Sequence, residues 1–197
     1  MKVDKILIYG SSELTRDTVA LLKDHYDLVG HIPSVNPVIS GTVDLPVVDE
    51  SVDHDIKLSL QYNRRITNTD NAYNVHTGLL PLWGGTDILY HTLKEFTLEQ
   101  GVTFHKMSNF FDYGPIISKV SYPVLQGDDM VNLYDRLHSI FPAFTLASLN
   151  LLKSLSASEV DKLPQFKPRV FKRGYINQSD LEDYNKTLPI LKEKYEY

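Results

Sequence analysis

The residues of this chain best suited to chemistry lie between Asn74 and Asp112. Asn74-Val75-His76 places an amide and an imidazole two residues apart, and in an extended segment residues i and i+2 face the same side. An amide donates hydrogen bonds at any pH. An imidazole can donate or carry a proton near neutrality. Asp112, folded back beside them, would orient the ring and accept a proton directly or through water. Such a set suits a reaction in which negative charge grows on an oxygen while a proton changes hands. The chain has no Cys, which excludes thiolate metal sites, disulfides and a cysteine nucleophile. It also has no close His pair such as His-x-x-x-His, so no metal is expected.

The elements that must position these residues follow from the pattern around them. Ile6 to Tyr9 form an apolar β-rich run ending at Gly10-Ser11-Ser12, after which Leu14, Thr18, Leu21 and Leu22 recur at helical spacing. Ser12 suits an N-cap, Glu13 the first turn, and the helix is expected to reach about Asp24. Leu28 to Ile32 read as a second strand, which gives a βαβ opening with a parallel pair. Pro33 to Asp53 read as irregular chain. Asp55 to Leu60 and Ala72 to Val75 read as strands, the second delivering His76 at its end, where open α/β sheets place their chemistry. The period predicts a helix over Thr86 to Gln100 with Gly101 as its stop, then strands over Val102 to Met107 and Ile116 to Val120. A long helix is expected from Asp128 to about Leu155, interrupted at Pro142. The tail after Pro164 is basic and then acidic-helical from Asp180.

A chain of 197 residues with 42% hydrophobic residues can bury one core. We expect one domain over 1–155 and a carboxy-terminal extension, 156–197, packed on it. The net charge of -5 argues against a general affinity for nucleic acid. The amino terminus has too short an apolar run for a signal peptide and no stretch suits a membrane span. A cytoplasmic protein is expected.

Four blocks stand in order: Asn74-Val75-His76, Leu79-Leu80-Pro81, Gly101-Val102-Thr103-x-His105-x-Met107 and Asp112-x-Gly114-Pro115-Ile116-Ile117. This set resembles the catalytic core of the 10-formyltetrahydrofolate-dependent formyltransferases, a family that includes glycinamide ribonucleotide, methionyl-tRNA and sugar N-formyltransferases. The run from Asp55 to Ile66 is similar to the family strand that ends in an aromatic-x-Arg-Ile-like turn on the folate side. The chain departs from the family at Gly78, where a Ser is common, and at Trp83-Gly84-Gly85, where an Arg-Gly commonly follows an aromatic.

The resemblance implies an α/β fold, a three-layer arrangement around a mostly parallel twisted sheet of the Rossmann-like type. It implies 10-formyltetrahydrofolate as formyl donor and a primary amine of a small molecule as acceptor. Asn74 and His76 would donate to the formyl oxygen as charge develops there, each such donor being worth on the order of 3 kcal/mol. His76 would help protonate the leaving nitrogen, and Asp112 would take the proton of the attacking amine. Tyr62, Arg64, Arg65, Ile66, Phe110 and Phe111 would border the folate.

Alternatives remain at several of these positions. Arg64 and Arg65 either steer the glutamate of folate or a substrate phosphate, or form a solvated pair at a strand end. Phe110 and Phe111 either flank the pterin or pack in the core. Gly10-Ser11-Ser12 is a strand-to-helix turn or a phosphate site. His91, His105 and His138 are assigned no function, and Arg169, Lys172 and Arg173 read as a solvated strand face or a partner or nucleotide contact.

The acceptor follows by elimination. Methionyl-tRNA enzymes continue into a tRNA-binding barrel for which residues 156–197 leave no room. Glycinamide ribonucleotide enzymes carry a phosphate turn richer in Gly than Gly10-Ser11-Ser12-Glu13. A nucleotide-linked amino sugar is left as the expected acceptor. Hydrolysis of the formyl donor, or a folate- or partner-binding role without catalysis, are the rivals. The tail, with Val170, Phe171, Tyr175 and Ile176, could pack on its own domain or on a second copy in a homo-oligomer.

Overall fold

Apolar runs of five or six residues alternate with turn signals through the first half of the chain, and each run becomes a strand. The structure, a computed structural model, describes residues 4–172 and 178–196; Arg173, Tyr175 and Ile176 lie outside the described residues. Strand β1 (Lys5–Tyr9) leads through Gly10 into helix α1 (Glu13–Leu22). Ser12 caps that helix: its hydroxyl accepts the Thr15 N–H at 3.2 Å, and the Thr15 hydroxyl accepts the Ser12 N–H at 3.2 Å. Two otherwise unpaired helix-end donors are satisfied by that reciprocal pair.

Strand β2 (Asp27–Ile32) lies parallel to β1 on one side and β3 (Ile56–Leu60) parallel on the other, with β4 (Ala72–His76) beside β3. Next come a two-residue strand β5 (Gly84–Gly85) and helix α2 (Ile88–Lys94). Strands β6 (Glu99–Lys106) and β7 (Ile116–Pro123) complete a six-stranded sheet in the order β2-β1-β3-β4-β6-β7. Only β6 runs against its neighbours. The expected α/β fold with a mostly parallel sheet is what forms.

Helix α3 (Met130–Lys153), the short α4 (Ala157–Val160), strand β8 (Val170–Phe171) and helix α5 (Gln178–Tyr195) follow. The main core joins Ile6, Ile8, Leu58 and Phe104 of the sheet to Leu14 and Leu22 of α1 and Leu133, Leu137 and Phe141 of α3. On the opposite face Leu7, Tyr9 and Ile66 form a smaller cluster with Val48, Val52, Tyr62 and Met107. That second covering layer is irregular chain, because β3 passes to its parallel neighbour β4 through residues 61–71 alone, close to the shortest length such a crossover needs. Ser34 and Asn63 tie the two covering loops together, Ser34 donating to the Gln61 carbonyl at 3.1 Å.

Two expectations are corrected. The helix read over Thr86 to Gln100 stops at Lys94, Phe96 turns the chain with φ 50°, and Glu99 and Gln100 open β6. Gly101 does not stop a helix; it lies inside β6, where a Cβ would sit 2.7 Å from Leu79 Cδ2 and 2.9 Å from Ser121 Cα. Pro142 does not interrupt α3, which runs unbroken through it. Phe141 and Thr145 are fully buried on either side of Pro142, and packing on the sheet outweighs the cost of about 3 kcal/mol that a helix-interior Pro carries. Among the described residues no helix is long and apolar enough to cross a membrane.

Candidate active site

Asn74 is the middle residue of β4 and His76 its last. Asn74 pairs in register with Ser59 of β3 on one side and His105 of β6 on the other. β7 carries one extra residue opposite the Phe104–His105 step, a bulge of the kind that re-aims a side chain beside a site.

His105 is buried. Burial pushes its pKa down and the nearby His76 adds to that, while the Asp112 carboxylate opposes it; burial wins, and the ring is neutral. Its Nδ1 lies 3.0 Å from the Lys106 carbonyl oxygen. A carbonyl only accepts, so the single ring proton sits on Nδ1 and Nε2 is an acceptor. Asn74 Nδ2 donates to that Nε2 across 3.3 Å. The Asn74 amide is thereby held in one of its two flips, with its second N–H outside this bond.

His76 is also buried, and its Nε2 donates to the Trp83 carbonyl at 2.6 Å. Its Nδ1 lies 3.4 Å from Asp112 Oδ1, a contact that is favourable when Nδ1 carries a proton as well. Asp112 Oδ2 accepts the Gly85 N–H at 2.6 Å, a charge-assisted bond of the strong kind. Asp112 has φ 51°, a left-handed conformation that Asp tolerates better than most residues. The loop between β4 and β5 is pinned from below: Leu80 N–H donates to Thr103 Oγ1 at 3.0 Å, Thr103 Oγ1 to the Gly78 carbonyl at 2.7 Å, and Leu79 N–H to Gln100 Oε1 at 3.0 Å.

Tyr62, Arg64, Arg65, Ile66, Phe110 and Phe111 border one cleft together with Asn74, His105 and Asp112. His76 does not line this cleft and sits behind Asp112. Ile66 is buried against Leu7 and Tyr9, and Tyr62 meets Tyr9 edge-on at 5.2 Å. Arg65 donates to the Asn109 carbonyl at 3.1 Å, which fixes it against the opposite wall. Phe110 and Phe111 are 72% and 70% exposed, so they are rim residues and not core. His105, given no function from the sequence, belongs in this group. The signal that could have placed it is the antiparallel pairing of β4 with β6, which puts it opposite Asn74. Among the described residues no group of His, Asp and Glu could hold a metal ion.

A cleft with an amide donor, a carboxylate, aromatic rings and cations beside the strands of an open α/β sheet has the make-up of a small-molecule pocket. Residues 66–146 match the formyl transferase family. The methionyl-tRNA formyltransferase of Legionella pneumophila is 36% identical over 84 residues, which cover 43% of this chain and 27% of that protein. That of Enterococcus faecalis is 28% identical over 117 residues, 59% of this chain and 36% of that protein. The chain thus spans about a quarter to a third of the length of these relatives. Among solved structures, an N-formyltransferase from Helicobacter canadensis, in complex with folinic acid and dTDP-3-aminofucose, superposes with a TM-score of 0.73 at 21% identity over 88% of this chain and 72% of that one. A phosphoribosylglycinamide formyltransferase from Bacillus halodurans gives 0.64 at 18% identity over 79% of this chain and 97% of that one.

Proposed function

We propose that this chain transfers a formyl group from 10-formyltetrahydrofolate to a primary amine. The observation that carries this reading is the Asn74 amide, held in one orientation by neutral His105 and lining the same cleft as the Asp112 carboxylate. The attacking amine nitrogen forms a bond to the formyl carbon, and the bond from that carbon to N10 breaks. Charge that collects on the formyl oxygen between these events is stabilised by the second Asn74 N–H, a donor already in place and needing no reorganisation. Asp112 accepts the amine proton. Asp112 lines the cleft and hands that proton on to N10 as it leaves, while His76, whose Nδ1 faces the same carboxylate, holds Asp112 in position. Tyr62, Phe110 and Phe111 offer flat faces to the pterin, and Arg64 a cation at the rim for the glutamate.

A nucleotide-linked amino sugar is our preferred acceptor. In support, the turn after β1 is closed to a phosphate: Ser12 and Thr15 cap each other, Gly41 N–H donates to the Ser11 carbonyl at 3.0 Å, and Ser40 bridges to Ser12. The charge balance supports a small acceptor over a nucleic acid, and the cysteine-free composition supports a cytoplasmic setting. The test supplies 10-formyltetrahydrofolate with dTDP-3-aminofucose, glycinamide ribonucleotide or methionyl-tRNA in parallel. Tetrahydrofolate should appear with the amino sugar alone. Release without any acceptor would make the protein a hydrolase, and no release in any arm would reduce it to a binding module.

A further inference from the structure

The two groups that flank Asn74 in this reading are both held by main-chain atoms of one short stretch. The Trp83 carbonyl takes the His76 Nε2–H, and the Gly85 N–H holds Asp112. That stretch is not part of the six-stranded sheet. Its partner is β8, 86 residues further along, which runs parallel to it with Gly84 opposite Val170 and Gly85 opposite Phe171. Gly84 N–H donates to the Arg169 carbonyl at 2.9 Å, Thr86 N–H to the Phe171 carbonyl at 3.0 Å, and Arg169 N–H to the Pro81 carbonyl at 2.8 Å.

Side chains reinforce the same junction. The Phe171 ring stacks on Trp83 with centroids 5.0 Å apart and planes at 10°, and lies 4.7 Å from the His91 ring. It is 4% exposed and clusters with Trp83 and Ile88. Above it sits the Arg169 guanidinium, 4.5 Å from the ring centroid and paired with Glu95 at the end of α2. The glycines are there to admit the strand. A Cβ on Gly84 would lie 3.0 Å from Pro168 Cβ and 3.2 Å from the Arg169 carbonyl, and one on Gly85 would lie 2.7 Å from Phe171 N at a φ of +101°. Trp83-Gly84-Gly85 and Arg169-Val170-Phe171 are therefore two halves of one fitted contact.

We propose that Phe171 is a positioning residue: through β8 and its stack on Trp83 it holds the carbonyl and the N–H that orient His76 and Asp112. Residues 164–172 then belong to the machinery of the site and are not an appendage to it. This rests on the assignment of His76 and Asp112 to formyl transfer, so the test has a reading that does not depend on turnover. In wild-type protein the imidazole of His76 should show a protected Nε2–H in nitrogen-15 spectra, the sign of its bond to the Trp83 carbonyl. Phe171→Ala should lose that signal, and with 10-formyltetrahydrofolate and dTDP-3-aminofucose its kcat should fall about a hundredfold while the donor KM changes little, the effect expected of misplacement by about 1 Å. Phe171→Leu, which refills the space, should recover the signal and most of the rate.

Should Phe171→Ala fail to fold, Arg169→Ala removes the exposed clamp over the ring and should weaken the same signal with a several-fold loss of kcat. A folded Phe171→Ala, or an Arg169→Ala, with the His76 signal and kcat of wild type overturns the proposal. A wild-type protein that transfers no formyl group yet loses the His76 signal on Phe171→Ala would overturn the functional reading and leave the positioning role standing.

Discussion

Gly78 lies against the bond that holds His76, and Gly78→Ala should break it. The added methyl would sit 2.9 Å from His76 Nε2 and closer still to the Trp83 carbonyl oxygen, two atoms that are themselves joined at 2.6 Å. Neither can step aside easily. The carbonyl belongs to a stretch anchored by Trp83 N–H to the Leu79 carbonyl at 3.0 Å and by Gly84 N–H to β8, and the ring is enclosed. Ordinary contact needs about 1 Å more room, enough to part the two atoms. A buried N–H left without a partner costs about 1–3 kcal/mol. For a chain of this size each kcal/mol lowers Tm by about 2–4 °C, so a fall of roughly 2 to 12 °C is expected. With His76 released, kcat should drop about a hundredfold, and donor KM should hold because the cleft is lined by other residues. Calorimetry and tetrahydrofolate release under saturating donor give both readings. Gly127→Ala, at a left-handed glycine with nothing within 4 Å, is the comparison: it carries backbone strain without touching the site and should keep its kcat. A Gly78→Ala protein with wild-type Tm and kcat would refute the view that the Trp83 carbonyl fixes His76.

Other outcomes follow from the same geometry. Asn74→Asp keeps the shape of the side chain and removes its donors, so kcat should fall about 10²–10³-fold in steady-state assays with the fold intact. Glu13 is buried with Oε2 unpaired, and burial pushes its pKa up to about 8 against the partial pull of its own and Leu14's backbone N–H. The folded state therefore binds a proton that the unfolded state has released. The stability this contributes is full below the ordinary carboxyl value of 4.5 and is lost as pH rises to about 8, with a limiting slope of about 1.4 kcal/mol per pH unit. Urea titrations between pH 5 and 9 should show that decline, and Glu13→Gln should flatten it. Truncation after Leu163 removes Phe171 from Trp83, the sole tryptophan, and strips Leu191 and Tyr195 from Ile39. Its tryptophan emission should shift to the red. An unshifted emission would mean that the domain boundary near residue 155 is a real one.

What could be read from the sequence was what is decided locally. The β1-turn-α1-β2 opening was legible because an apolar run, a Ser N-cap and a helical period all lie within thirty residues of one another, and the structure differs from that reading by only a residue or two at each end. Helix α2 was overextended because Ile88, Leu89, Leu93 and Phe96 keep a helical period, whereas the true end is set by distant partners. Gln100 is buried in β6, where it accepts Leu79 N–H and donates to Thr92, and no local pattern announces a polar residue in the core. Strands β5 and β8 are two residues each and have no pattern at all. Arg169, in the basic run read as a solvated face or a partner or nucleotide contact, is exposed, and its pairing with Glu95 and stacking on Phe171 carry no local signal.

The same division runs through the site. Asn74, His76 and Asp112 stand out in the sequence through the ordered blocks that resemble the formyltransferase core, but the state of each is set by residues far away in the chain. An amide has two nearly isosteric flips, and only one offers a donor to a developing negative charge. The choice is made by His105, thirty-one positions away, and His105 can make it because burial keeps its ring neutral and the Lys106 carbonyl claims its one proton. A protonated His105 would offer an N–H on Nε2 and turn the Asn74 amide over, presenting an oxygen where a donor is needed. Burial of His105 therefore matters to the site as much as its place in the cleft wall, and a substitution that lets water reach that ring should cost rate before it costs stability.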